Sequence, residues 1–86
     1  MKIGQIVISK AGKDKGLPFV IIALCTAGAG EYVFIADGKS RKLENPKRKK
    51  WKHLQPTNHV VAANWEKDAD IKKAITLWQN GGNLHG

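Results

Sequence analysis

Residues 39–53, KSRKLENPKRKKWKH, hold eight of the chain's fifteen Lys/Arg residues and a single carboxylate, Glu44. Cations at this density neutralise a line of phosphates, and each contact releases a condensed counterion, which drives sequence-independent binding of nucleic acid. Lys47, Arg48, Lys49, Lys50 and Lys52 supply the concentrated patch, with Lys42 ahead of it. Arg41 adds a planar fork suited to bidentate phosphate contact or to stacking on a base, which lysine does not match. Trp51 lies between Lys50 and Lys52. It is either a base-stacking platform, worth about 1–3 kcal/mol per base, or a residue closing one end of the fold. On an alternating strand it shares a face with His53 and Gln55, opposite Leu54, so a buried Leu54 puts Trp51 outside. The plainer reading of the run is a solvated loop or a localisation signal.

A second segment upstream bears on the same chemistry. In GQIVISKAGKDKG, residues 4–16, an alternating apolar stretch enters a loop of lysines and glycines. Gly12 and Gly16 allow positive φ and leave no Cβ between backbone and phosphate. Lys10, Lys13 and Lys15 would project from the same loop.

Other chemistries find no support. Gly38-Lys39-Ser40 looks like the end of a P-loop, but that motif needs a glycine at position 33, which is Val. Gly28 and Gly30 start a dinucleotide fingerprint that the same Val33 breaks. His53, His59, His85 and Cys25 show no metal-ligand spacing. No serine, histidine and carboxylate set stands out, and the chain is short for a cleft that excludes water. The expectation is a protein that is not an enzyme and uses no cofactor or metal.

The elements that must carry these residues change character along the chain. Residues 5–10 and 31–36 read as strands, and the seven-residue apolar run 19–25 as a buried one, with a break at 27–30. Asp37-Gly38 signals a tight turn. Short strands follow around 41–44 and 51–55. Five short strands in about fifty residues imply a small antiparallel barrel, which removes exposed sheet edges. Ile71, Ala74, Ile75 and Trp78 then fall at i, i+3, i+4 and i+7, predicting a helix over 69–80, with Asp68 or Asp70 as N-cap and Gly81-Gly82 as its stop. Its stripe must pack on the barrel or on a partner. Residues 81–86 read as frayed.

Eighty-six residues suit one core. Residues 1–55 carry twelve Lys/Arg against Asp14, Glu31, Asp37 and Glu44, whereas residues 56–86 are neutral, so the net charge of +8 belongs to the first segment and marks the binding side. One cysteine precludes an internal disulfide, and neither a signal peptide nor a stretch near the ~20 apolar residues of a bilayer span is apparent. A cytoplasmic location is expected.

Gly4-x-Ile6-Val7, then four residues, Gly12-Lys13-Asp14-x-Gly16 and an apolar strand together resemble a KOW motif, the strand–loop–strand element of several ribosomal proteins and transcription elongation factors. Residues 32–38, YVFIADG, with the continuation RKLENPK over 41–47, resemble more narrowly the fourteen-e type of large-subunit ribosomal protein and its small bacterial relatives. The resemblance covers roughly residues 3–56. It implies a mainly β fold, an SH3-like barrel of about five antiparallel strands, followed here by a helical extension over 57–86 that falls outside the resemblance. It further implies binding of structured RNA through the loop and the basic strands. Together with the charge this makes ribosomal RNA or the ribosome the expected partner and Lys10, Gly12, Lys13, Lys15, Gly16, Arg41, Lys42 and residues 47–52 the candidate contacts, in a protein expected to be monomeric when free. The competing expectation is an SH3-like protein-interaction module, with the helix around Ile71 and Trp78 as a docking face.

Overall fold

The computed structural model describes residues 2–25, 31–62 and 64–81. Five strands form one antiparallel sheet: β1 (Gln5–Ser9), β2 (Pro18–Cys25), β3 (Tyr32–Ala36), β4 (Lys47–Lys50) and β5 (Leu54–Val60), in the order β4-β3-β2-β1-β5. A single 3-10 turn, Trp51–His53, joins the two edge strands, and α1 (Asp68–Gln79) follows. No ladder links β4 to β5, so the sheet is open at that seam. The break expected at 27–30 and the fraying beyond Gly81 lie outside the described residues.

Over Phe19–Ile21 the apolar run of β2 is buried on both faces, whereas beyond it the expected burial gives way and Leu24 is exposed. Phe19 and Ile21 join Val7, Val33, Ile35 and Leu54 in one core inside the bend of the sheet. Val20 and Ile6 point the other way and meet Ile71 and Ile75 of α1, with Ile22, Leu43, Val61, Trp65 and Trp78 around them. The helical stripe read from the sequence therefore packs on the sheet, Trp78 as a half-buried flank rather than its centre. Asp70, expected as a possible N-cap, acts one turn in: its carboxylate accepts the backbone N–H groups of Glu66 and Lys67 at 2.9 and 3.1 Å, while Lys67 holds the cap position. These bonds hold the Asp70 carboxyl below its ordinary range. At the other end Gly81, with φ of 98°, closes the helix by donating to the Trp78 carbonyl.

Two irregularities bend the sheet. The β2–β3 register shifts between Ile21 and Ala23, and the β1–β5 register shifts between Gln5 and Val7. At the second, the Thr57 hydroxyl donates to the Ile6 carbonyl at 2.7 Å and the Gln5 amide donates to the Thr57 carbonyl at 2.9 Å, so side chains complete the interrupted ladder. Pro56 faces Val7 in β5, an edge strand, where its missing N–H is tolerated.

The sequence misplaces β4 and the start of β5. Residues 41–44 form no strand, because their backbone is claimed elsewhere: the Asp37 carboxylate accepts the N–H groups of Lys39 and Arg41, both at 2.9 Å, and Asp68 accepts that of Leu43 at 2.7 Å. The chain returns to the sheet only at Lys47, where four consecutive cations pair with residues 32–35 despite their poor strand propensity. The division drawn at 56/57 falls inside β5. Gly38, in the turn after β3, lies close against the first turns of α1. Its φ is 81°, and a Cβ there would stand 2.5 Å from the Asp68 carbonyl oxygen and 2.7 Å from Lys72 Cγ.

Candidate nucleic-acid interface

The loop after β1 is a compact structure built on backbone bonds. Gly16 N–H donates to the Ser9 carbonyl at 2.8 Å, Ser9 N–H to Leu17 at 3.0 Å and Leu17 N–H to Asp14 at 2.9 Å. Gly12 and Gly16 have φ of 81° and 87°, the left-handed region foreseen for them. Lys10, Lys13 and Lys15 are exposed around this frame.

β4 reaches that loop across the bend of the sheet. Lys49 Nζ donates to Ser9 Oγ and to the Ala11 carbonyl, both at 3.1 Å, and the Ser9 hydroxyl donates in turn to Ala11 at 3.1 Å. From the other side Lys10 N–H donates to the His53 carbonyl at 2.8 Å, which seats the base of the loop on the 3-10 turn. Two cationic stretches some thirty-five positions apart in sequence are thus brought together.

Alternation along β4 splits its cations between two faces. Lys47 and Lys49 lie opposite Ile35 and Val33, their stems covering the rim of the inner core. Arg48 and Lys50 lie opposite Phe34 and Tyr32 on the outer face. There the Arg48 guanidinium sits 4.6 Å from the centre of the Tyr32 ring and the Lys50 ammonium 5.9 Å from it, two cation–π contacts on one ring.

Asp14 organises the inner set. Its Oδ2 lies 3.4 Å from Arg41 Nη2 and 3.5 Å from Lys47 Nζ. Burial would raise its carboxyl, but the Lys47 charge and the Arg41 hydrogen bond and charge outweigh that and hold it below the ordinary range. Burial pushes the Lys49 ammonium down, with Lys47 repulsion next; Asp14 opposes the shift and Arg41 adds slightly to it. Arg41 itself is placed by the Asp37 carboxylate, which fixes its N–H, and by its own carbonyl, which accepts the N–H groups of Asp37 and Gly38.

Trp51 is 48% exposed while Leu54 is buried, the disposition expected from alternation, but the cause differs: Trp51–His53 is a 3-10 turn with no buried residue. With Glu31, Lys50 and Lys52 it lines an open cleft of about 170 Å³. Lys42 and Lys52 are exposed. Of the candidate residues, Lys49 meets the glycine-bearing loop directly, Arg41 and Lys47 reach it through Asp14, Arg48 and Lys50 face away on the outer side, and Trp51 stands exposed in the turn that follows. Sequence reading missed Ser9, Asp14, Asp37 and Tyr32 as organising residues. The available signals were a lone carboxylate inside a cationic loop and an aspartate opening a turn. Among the described residues no group of three or more His, Cys, Asp or Glu side chains could hold a metal ion, and no helix is long and apolar enough to cross a membrane. Neither a protein-family model nor a curated protein matches the chain.

Proposed function

We propose that this protein is a non-catalytic RNA-binding module, an SH3-like half-open barrel of KOW type that grips ribosomal or other structured RNA in translation or ribosome assembly. The observation that carries this reading is the docking of Lys49 onto Ser9 and Ala11, which brings the lysines of loop 10–16 to the basic strand. The inner cations are engaged by protein groups, so the contacts to RNA fall first to exposed or outward residues: Lys10, Lys13, Lys15, Lys42, Arg48, Lys50 and Lys52. Trp51 is free to stack on an unpaired base, with Lys50 and Lys52 beside it for the flanking phosphates. Strand order supports the barrel: β5 returns to pair with β1 after a 3-10 turn, leaving only the β4–β5 seam open. The test is co-sedimentation with ribosomes at low and high salt, alongside Lys13→Glu and Lys50→Glu. Salt-sensitive association weakened in both variants supports the proposal; association indifferent to salt and to both charge reversals rejects it.

A second reading, a protein-docking module, is favoured by one feature. An open cleft of about 220 Å³ runs between the exit of loop 10–16 and α1, lined by Leu17, Pro18, Lys39 and Ser40 on one side and Ile75 and Thr76 on the other. Salt-resistant binding of a peptide, lost with Leu17→Asp and retained with Lys50→Glu, would favour it over RNA.

A further inference from the structure

We propose that Arg41, Lys47 and Lys49 form a subsite for one phosphodiester group of the nucleic acid, a subsite that Asp14 occupies in the free protein and yields when the phosphate arrives. This rests on the RNA-binding reading and names the place where a backbone phosphate enters.

Three observations lead there. The Asp14 contacts, 3.4 and 3.5 Å from one shared oxygen, are long beside the ~2.7–2.9 Å of a tight charge-assisted bond. Arg41 uses one edge of its fork incompletely: Nη2 meets Asp14, while Nε is buried without an acceptor. Finally, among the described residues Asp14 is the one carboxylate paired with the Arg41 guanidinium and the Lys47 ammonium, and the ammonium of Lys49 stands on neutral oxygens, so three cationic side chains share a single carboxylate partner. A tetrahedral phosphodiester presents two non-bridging oxygens, enough to take Nε and Nη2 side by side and still reach a lysine, which one displaced carboxylate oxygen does not achieve.

In this arrangement Asp14 acts as an internal competitor. It keeps the cations oriented while the site is empty and lowers their affinity for small anions, whereas a polyanion held by the exposed Lys10, Lys13 and Lys15 of the same loop displaces it. Asp14→Asn preserves the side-chain shape and removes the charge. Anisotropy titration of a short labelled single-stranded RNA is expected to show binding about three- to tenfold tighter than wild type at low salt. The log–log salt slope should change by less than the ~0.7 of one phosphate contact, because the phosphate enters the subsite in both proteins. Unchanged or weaker RNA binding by a folded Asp14→Asn protein overturns the proposal and makes Asp14 a positioning residue alone.

Arg41→Lys is the companion variant, keeping the charge and losing the fork. It is expected to weaken RNA binding about threefold or more; full retention of affinity counts against the subsite. Inorganic phosphate titrated into Asp14→Asn, followed by the Arg41 Nε–H resonance, separates the sources of the anion. A shift of that resonance together with tighter RNA binding supports a nucleic-acid phosphate. A shift without any gain for RNA marks a small-anion site and overturns the assignment to a phosphodiester. Failure of the wild-type protein to bind RNA at any salt defeats the RNA reading itself, an outcome distinct from RNA binding that Asp14→Asn leaves unmoved.

Discussion

Asp14 links this protein's stability to pH. Its folded-state carboxyl lies below the ordinary value near 3.9, so the folded chain binds fewer protons there than the unfolded chain does. The stabilisation is complete above about pH 5 and is lost as pH falls through the folded value. Urea unfolding of wild type and Asp14→Asn between pH 3 and 6 should therefore give a difference that shrinks with acidification. A difference constant across that range would mean the carboxylate is not held by Arg41 and Lys47. Asp37 is a stronger single determinant, because its side chain is buried and satisfies two backbone N–H groups. Asp37→Ala is expected to cost about 2 kcal/mol by leaving those donors unmet, read as a lower urea midpoint at unchanged slope. Both aspartates were visible in the sequence, one in a cationic loop and one opening a turn. Their partners were not, since Arg41 lies twenty-seven positions from Asp14 and the contact exists only once the fold brings the loop after β1 beside the segment between β3 and β4.

At the scale of elements, helix and apolar strands were legible because period decides them: Ile71 and Ile75 recur at helical spacing, and β2 is apolar without interruption. β4 was not legible, because KRKK carries no strand signal and pairs through its place beside β3. An edge strand made only of Lys and Arg also discourages another chain from adding to the sheet, so its composition has a structural reason beside the proposed functional one. The union of helix and sheet depends on Ile71 and Gly38. Ile71→Ala should cost about 2–5 kcal/mol through lost burial and a residual cavity. Gly38→Ala forces a Cβ into the Asp68 carbonyl at a positive φ. It should cost about 2 kcal/mol or more, because strain and clash add. Thermal unfolding checks both, and a neutral Gly38→Ala would mean that α1 does not rest against that turn.

Over the whole molecule, a charge of +8 confined to residues 1–55 gives the sheet a positive field while the helical part stays neutral. If about five phosphates are contacted, the log–log salt slope of RNA binding should be about −3.5 to −4.5. A slope near zero measured by filter binding would exclude a phosphate-driven interaction. The split of β4 between two faces could not be read from the charge run, which looks uniform along the chain and separates only on a pleated strand. The three tryptophans differ in a way that gives the molecule its own optical gauge: Trp51 stands 48% exposed between two lysines, whereas Trp65 and Trp78 are sheltered against α1 and the sheet. Iodide, drawn by Lys50 and Lys52, should quench its emission more strongly than caesium does, and a polyanion lying across the turn should abolish that preference without any label attached.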